Sequence, residues 1–242
     1  IVSRHLYLFG IGESDVEEKL EDLMKDSANP TVAPYAMNGT LMIRLTAKAK
    51  SEEEAFELIS PIEKCIKDKF AQFLYSVDEE AMEKVLVELL IQNKKTIATA
   101  ESCTGGLLRE KITRVPGSSE VFHYGLCTYS NEAKNRLLSV KETTLQLHGA
   151  VSKETVVEMS ENLLAVAKAD YAIAISGIAG PGGGSKEKPQ GLVYIALASK
   201  DKTIVKKLNL NRNRAQQRQI IRQQASLHAM KMVIDLVKET KE

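Results

Sequence analysis

The sequence predicts an α/β protein in which a three-layer α/β/α domain over residues 78–242 follows a small α+β domain over residues 1–75. Two patterns carry this prediction. From residue 78 onward, short apolar segments typical of buried strands alternate with segments of helical periodicity. Before that point the order is strand, helix, strand, strand, helix, which makes a compact α+β unit. A composition of 43% hydrophobic and 27% charged residues fits a soluble globular protein.

Turn and cap signals define the elements of the small domain. Asn38-Gly39 predicts a hairpin turn between strands at 31–36 and 41–46. Two helices are predicted to start at capping boxes, in which a serine precedes a glutamate by three residues. These pairs are Ser14 with Glu17 and Ser51 with Glu54. Pro61 lies inside the second helical pattern, and we expect it to kink that helix or to end its first half.

The order of elements in the small domain is also that of KH domains, which grip an RNA backbone with a GxxG loop. Residues 1–75 contain no GxxG and no stripe of basic and aromatic residues. A spacer or docking module is therefore favoured over RNA binding, and we expect no nucleic-acid partner.

The larger domain is predicted from apolar strands and capped helices. A third capping box, Ser76 with Glu79, is expected to start its first helix, and Ser152 to cap a long amphipathic helix. The other predicted elements, in chain order, are a strand at 95–100, a helix from Leu107, a strand at 121–130, a helix from Asn131 to about Leu138, a strand at 169–176, a hairpin of strands at 191–199 and 203–210, and a helix from about Arg214.

The stretch Thr99–Gly106 lies between a predicted strand and a predicted helix and reads Thr-Ala-Glu-Ser-Cys-Thr-Gly-Gly. A strand that turns sharply into a helix leaves backbone N–H groups directed at whatever occupies the turn. Ser102 has a suitable position for a nucleophile beside such groups. A hydroxyl in this position is equally suited to cap the helix, and the local residues leave both roles open for Ser102 and the capping role open for Thr104.

Polar sequence follows three of the predicted strands, namely Glu101-Ser102, Tyr129-Ser130-Asn131 and Ser176-Gly177. Ligands of open α/β sheets bind beyond the carboxyl ends of the strands. If these three strands are neighbours, one pocket receives all three segments. Lys134, early in the helix that follows Asn131, would then direct its amine into that pocket.

Two stretches are suited to bind a phosphate group. The loop Gly177–Gly184 resembles phosphate cradles in composition, although it matches neither the P-loop nor the GxGxxG pattern, so a flexible turn stays an alternative. Residues 202–222 hold seven basic side chains and no acidic one. Arg214 and Arg218 are candidates to meet a phosphate, and a solvated helix face is the alternative.

Composition and charge argue against several other classes of protein. The net charge of +1 gives no general attraction to nucleic acid, and no apolar run is long enough to span a membrane. Three cysteines without a CxxC pair and four scattered histidines predict neither a disulfide framework nor a metal site. We expect a cytoplasmic protein without metal or cofactor. Because the chain begins at Ile1 rather than Met, we expect it to be part of a longer protein.

Five motifs in this order together resemble the carboxy-terminal domain of the CinA family, the nicotinamide-nucleotide amidases, over about residues 78–240. They are Thr99–Gly106, Val115-Pro-Gly-Ser-Ser119, Tyr129-Ser-Asn-Glu-Ala-Lys134, His148-Gly-Ala-Val-Ser152 and Gly177-Ile-Ala-Gly-Pro-Gly-Gly-Gly184. The earlier segments Phe9–Ser14 and Pro30–Tyr35 are similar to the KH-like middle domain of full-length members.

The resemblance implies hydrolysis of the amide of nicotinamide mononucleotide, with Ser102 as nucleophile, Lys134 as base and neither metal nor cofactor. It also implies a homo-oligomer. The expected substrate-binding residues are Thr104, Gly105, Tyr129, Ser130, Asn131, Ser176, Gly177, Gly180, Arg214 and Arg218. The family commonly has Thr at Ser176, which keeps the hydroxyl, and Gly at Arg212, which leaves open whether Arg214 or Arg218 faces the phosphate.

Two alternatives to this hypothesis stand beside it. Cys103 is adjacent to Ser102 and carries the intrinsically more reactive atom, although neighbouring residues in a turn usually point in different directions. In the second alternative, the chain is a non-catalytic module that binds a nucleotide or another protein.

Overall fold

The computed structural model describes residues 1–26, 28–211 and 215–239. The chain divides into two compact units, Ile1–Val85 and Leu86–Glu242, and each contains one β-sheet. Arg214, the residue near which we expected the last helix to begin, lies outside the described residues.

The first unit is a four-stranded antiparallel sheet with two helices. Its elements are β1 (Val2–Leu8), α1 (Glu13–Asp26), β2 (Thr31–Ala36), β3 (Leu41–Ala47), α2 (Glu52–Lys69) and β4 (Leu74–Val77). The strand order is β2-β3-β1-β4. Apolar side chains of the sheet and of both helices share one core, which includes Leu8, Leu20, Ile43 and Ile59. The predicted order of elements and the Asn38-Gly39 hairpin are therefore confirmed.

Several predicted details of this unit are wrong. Strand β4 was not among the predicted elements. It pairs with β1, which provides the hydrogen-bonding template that a four-residue strand lacks on its own. Helix α1 already begins at Glu13, where the Gly12 carbonyl accepts from the Val16 N–H, so Ser14 lies inside its first turn and is not the cap. The helix α2 runs through Pro61, so Pro61 does not end it, and the kink that was the alternative stays a prediction.

Of the three predicted capping boxes, one is confirmed. The Ser51 hydroxyl accepts from the Glu54 N–H at 3.1 Å and begins α2. Ser76 lies in β4, and the next helix starts only at Met82, so it has no capping role. Instead, the Glu79 carboxylate accepts from the Ala81 N–H just ahead of that helix.

The second unit contains a five-stranded sheet with helices on both faces. Its elements follow helix α3 (Met82–Gln92), which crosses the division between the units. They are β5 (Ile97–Glu101), α4 (Leu107–Thr113), a 3-10 turn (Ser118–Glu120), β6 (Phe122–Cys127), α5 (Asn131–Leu138), α6 (Glu142–His148), α7 (Lys153–Ala167), β7 (Tyr171–Gly177), β8 (Leu192–Ser199), β9 (Thr203–Asn209) and α8 (Gln217–Glu239).

The strand order β6-β5-β7-β8-β9 places three parallel strands beside an antiparallel hairpin. Helix α7 packs on the sheet together with α5 and α6, whereas α8 contacts β7, β8 and α4. Buried alanines on the sheet, such as Ala100, Ala174 and Ala196, allow α7 to approach closely. The predicted α/β fold and the Ser152 cap of α7 are confirmed.

The main differences from the prediction in this unit concern β6, α6 and α8. Strand β6 ends at Cys127 rather than at Ser130, because Ser130 is already the N-cap of α5. Helix α6 was not predicted, since its seven residues are too few for a clear periodicity. Helix α8 begins at Gln217. Within the described part of the chain, no helix combines the length and the apolar character needed to cross a bilayer.

Candidate active site

The three polar strand ends lie side by side. Strand β5 pairs in parallel with both β6 and β7, in a register that places Glu101 beside Cys127 and Ile175. The hydrogen bonds continue past the ends of the strands. The Thr128 N–H donates to the Glu101 carbonyl at 2.8 Å, and the Ser102 N–H donates to the Ile175 carbonyl at 2.9 Å. The carboxyl ends of the parallel strands therefore form one edge, as the pattern predicted.

A buried carboxylate holds the turn that follows β5. Glu101 is fully buried, and its two oxygens accept from the backbone N–H groups of Gly106, Leu108 and Arg109 at 2.9–3.0 Å. These are N–H groups of the first turn of α4, which no preceding carbonyl can satisfy. Helix α4 begins at Leu107 without a capping bond from the residue before it. Glu101 thus performs the capping role that we had left open for Ser102 and Thr104.

Lys134 reaches the same turn from the other side. Ser130 caps α5 by accepting from the Ala133 N–H, so Lys134 lies in the first turn of that helix. A helical side chain extends toward the N-terminus of its helix, which directs this lysine back to the strand end. Its Nζ donates to the Thr128 carbonyl at 2.9 Å, to the Tyr129 carbonyl at 3.3 Å and to the Ser102 Oγ at 3.2 Å.

The environment of Lys134 lowers the pKa of its amine. The side chain is fully buried, and no carboxylate among the described residues pairs with it. Burial lowers the pKa of Lys134 from 10.5 to about 8, with small opposing effects of Cys103 and Cys127. A buried lysine with a pKa in this range is suited to accept a proton from a hydroxyl in contact with it.

The Cys103 side chain packs against the end of β7. Its Sγ lies 3.1 Å from the position that a Cβ on Gly177 would occupy, beside Val193 and the Leu192 carbonyl. Burial raises the pKa of the Cys103 thiol to about 12. A thiol that stays protonated is a poor nucleophile, so the geometry supports Ser102 over Cys103.

Residues of α8 contact the rim of the site. Arg218 donates to the Gly180 carbonyl at 2.6 Å and to the Tyr129 hydroxyl at 3.2 Å, so it joins the loops that follow β6 and β7. One helical turn further, Arg222 donates to the Thr104 carbonyl through Nε at 3.2 Å and Nη2 at 2.8 Å. Helix α8 therefore contacts the segments that follow all three parallel strands.

Residues 79–237 match the CinA C-terminal domain family, and residues 3–76 match the family described as damage-inducible protein CinA KH domain. The chain belongs to the CinA family. Among its relatives is a competence-damage inducible protein of Caldanaerobacter subterraneus subsp. tengcongensis, 53% identical over 233 residues, which are 96% of this chain and 55% of the relative. The CinA-like protein of Kosmotoga olearia is 46% identical over 96% of this chain and 56% of its own length.

Solved structures of the family are similar to this chain. A CinA superfamily protein of Klebsiella pneumoniae aligns with a TM-score of 0.62 and 33% identity over 65% of this chain and 96% of its own. A competence/damage inducible protein of Agrobacterium tumefaciens aligns with a TM-score of 0.58 and 34% identity over 68% of this chain and 98% of its own. None of these names states an enzymatic activity. The chain spans about half the length of the curated CinA relatives.

The remaining predicted site residues differ in how they are placed. Ser176 is buried and donates to the Ala150 carbonyl at 2.7 Å, so its hydroxyl is engaged within the fold. The Thr104 hydroxyl is buried and has no hydrogen-bond partner in the described part of the chain. Asn131 is exposed at the start of α5, Gly105 is exposed in the turn, and Gly177 ends β7 under close contact with Val193. Arg214 lies outside the described residues.

Two contributors to the site were not identified from the sequence. Glu101 was named only as an acid in the motif, although a carboxylate immediately before a strand-to-helix turn is a capping signal. Arg222 was counted within the basic run, and its spacing of four residues from Arg218 places both on one face of α8. Among the described residues, no group of three or more potential metal-ligating side chains occurs.

Proposed function

We propose that this member of the CinA family hydrolyses the carboxamide of nicotinamide mononucleotide to nicotinic acid mononucleotide and ammonia. The observation that carries the proposal is the pair formed by Ser102 and Lys134. A buried lysine, paired with no carboxylate in the described part of the chain, has its amine 3.2 Å from a serine hydroxyl at the carboxyl edge of a parallel sheet. Ser-Lys pairs of this kind are suited to acyl transfer.

In the proposed first step, Ser102 Oγ attacks the carboxamide carbon while Lys134 Nζ accepts the hydroxyl proton. The carbonyl π electrons move to oxygen and form a tetrahedral oxyanion. When this intermediate collapses, the C–N bond breaks, and Lys134 returns the proton to the leaving nitrogen, which departs as ammonia. Water then attacks the acyl-serine with Lys134 again as base, which releases the carboxylic acid and restores Ser102.

Backbone N–H groups are the proposed partners of the oxyanion. In the turn after Ser102, the N–H groups of Cys103 and Thr104 donate to no other residue among those described. The N–H groups on either side of them are engaged, that of Ser102 with Ile175 and that of Gly105 with Ser102. Unengaged N–H groups directly after a nucleophile are well placed to stabilise the charge that develops on the substrate oxygen.

The choice of a nucleotide as substrate is supported by the family resemblance and by the rim of the site. A phosphate needs cationic or N–H donors, and Arg218 lies at the rim beside the loop 177–184. A free nicotinamide would use only the region around Ser102. We therefore assign the phosphate to the side of the site that Arg218 and this loop form.

Ammonia release from nicotinamide mononucleotide by the purified chain tests the proposal. We expect activity in the natural sequence, its loss in Ser102→Ala and Lys134→Met, and its retention in the matched control Lys200→Met, an exposed lysine in the turn between β8 and β9. Nucleotide binding without ammonia release would favour the non-catalytic module instead. A chain that neither binds the nucleotide nor releases ammonia would exclude the amidase and the nucleotide-binding module, and would leave a module that binds another protein.

A further inference from the structure

The turn that carries Ser102 is fixed by hydrogen bonds on nearly every side. The Glu101 carboxylate accepts from the Gly106 N–H at the end of the turn, and the Gly105 N–H donates to the Ser102 carbonyl at 3.0 Å. The Thr104 carbonyl accepts from the Leu107 N–H at 3.2 Å. In this turn, the N–H groups of Cys103 and Thr104 donate to no other residue among those described.

Arg222 supplies the contact that holds the Thr104–Gly105 peptide from outside the turn. Both of its hydrogen bonds go to the Thr104 carbonyl, and its Nη2 lies 3.7 Å from the position that a Cβ on Gly105 would occupy. Gly105 and Gly106 have φ angles of +60° and +97°, a conformation that costs glycine little and gives the backbone alternatives. A carbonyl with two donors from one guanidinium loses both if this peptide rotates.

The charge of Arg222 is also directed at this turn. No carboxylate among the described residues pairs with the guanidinium, which is half-buried against the Thr104 carbonyl. An unneutralised cation in this position stabilises negative charge that develops near the unengaged N–H groups. It also polarises the peptide groups to which it donates.

We infer that Arg222 is a positioning residue of the proposed hydrolysis, which holds the Thr104 carbonyl so that the Cys103 and Thr104 N–H groups stay directed at the substrate oxygen. The inference rests on the proposed function for its chemistry, but the fixing of the turn does not depend on it. Arg222 acts through the backbone, whereas Arg218 lies against Tyr129 and Gly180 at the rim. Substitutions of the two arginines should therefore change the kinetics in different ways.

Steady-state kinetics of Arg222→Ala and Arg222→Lys test the catalytic part. We expect kcat to fall about ten- to a hundredfold in Arg222→Ala, less than the full loss of an oxyanion donor, with KM changed by less than about threefold. Arg222→Lys should recover part of the loss because an ammonium can still donate to the carbonyl. The factor by which kcat falls in Arg222→Ala should be the same for the nucleotide and for the riboside. Arg114→Ala, which removes an exposed arginine at the C-cap of α4, is the matched control.

Two kinetic outcomes would overturn the inference. Unchanged kcat in Arg222→Ala would show that the turn does not need this residue. A loss much larger for the nucleotide than for the riboside would show that Arg222 binds phosphate instead. The pH dependence of kcat/KM should keep its midpoint in the variant, since a general collapse of the site would move Lys134 toward its ordinary pKa.

Hydrogen exchange of the turn tests the structural part in any outcome of the activity assay. The amides of Gly105 and Leu107, which are engaged within the turn, should exchange at least about tenfold faster in Arg222→Ala than in the natural sequence, with α7 unchanged. If the natural protein releases no ammonia, the proposed function fails while this measurement still decides the role of Arg222. Equal exchange in the variant and the natural protein would refute that role.

Discussion

The amine of Lys134 and the hydroxyl of Ser102 lie 3.2 Å apart, with the lysine fully buried and the serine 8% exposed. Burial, with no carboxylate paired to the amine among the residues the structure describes, explains why the pKa of Lys134 falls to about 8. At pH 7, roughly a tenth of such an amine is neutral, compared with well under a thousandth of an ordinary lysine. The pair therefore supplies a base near neutral pH without a histidine.

The first prediction concerns pH. In the proposed mechanism only the neutral amine of Lys134 accepts the Ser102 proton, so kcat/KM for nicotinamide mononucleotide should rise with pH and level off above about pH 8. The measurement is ammonia release between pH 6 and 9.5, over a range in which the protein stays folded. A profile that is flat, or that falls across this range, would rule out Lys134 as the base.

The second prediction concerns stability. A lysine whose folded-state pKa is lowered from 10.5 to about 8 destabilises the fold by on the order of 3 kcal/mol below pH 8, and this penalty disappears as pH rises toward 10.5. Lys134→Met should therefore raise the free energy of unfolding at pH 7, by about 1–2 kcal/mol once the lost hydrogen bonds are subtracted. Denaturant unfolding at pH 7 and pH 10 measures the free energy of unfolding of the variant and of the natural sequence. The gain in stability of Lys134→Met should be smaller at pH 10.

The matched control for stability is Lys200→Met, since Lys200 is exposed in the turn between β8 and β9. We expect it to change the free energy of unfolding by less than about 0.5 kcal/mol at either pH. If Lys134→Met destabilised the fold at pH 7, burial of the charged amine would not be the dominant effect at this site.

The sequence was most informative where local chemistry decides the structure. The Asn38-Gly39 turn and the Ser51 and Ser152 caps each depend on a few neighbouring residues, and each is present as predicted. The convergence of the three strand ends also followed from pattern, because parallel strands end at one edge of a sheet. The placement of Lys134 followed from its position in the first turn of α5.

What the sequence could not predict depends on contacts between distant residues. Strand β4 exists because β1 pairs with it, and its own four residues contain little strand signal. The pKa of Lys134 depends on burial and on the absence of a nearby carboxylate among the described residues, neither of which a spacing reveals. The contact of Arg222 with the Thr104 carbonyl joins residues 118 positions apart.

The third prediction separates the two candidate nucleophiles. Ser102→Ala should abolish ammonia release, whereas Cys103→Ala should keep most of it, because the Cys103 thiol is buried under Gly177 and its pKa is raised to about 12. Loss of a buried thiol leaves a small cavity, which we expect to cost about 1–2 kcal/mol of stability. If a folded Cys103→Ala lost all activity while Ser102→Ala kept it, the nucleophile would be Cys103 and not Ser102.

The fourth prediction depends on the contacts of Arg218. Its guanidinium bridges the Gly180 carbonyl and the Tyr129 hydroxyl, two neutral acceptors, and neither neutralises its charge. Arg218 and Tyr129 are both exposed, so a ligand can reach the guanidinium without displacing the fold. A phosphate dianion would form stronger, charge-assisted hydrogen bonds with the same group.

We therefore expect Arg218→Ala to lower kcat/KM for nicotinamide mononucleotide by roughly ten- to a hundredfold, since each charge-assisted hydrogen bond contributes about 1.5–3 kcal/mol. The riboside, which has no phosphate, should lose far less. Arg136→Ala is the matched control, because Arg136 is exposed on α5 and pairs only loosely with Glu132. Equal losses on nucleotide and riboside would assign Arg218 to shaping the rim through Tyr129, and the phosphate would then have to be bound by another group, such as the N–H groups of the loop 177–184.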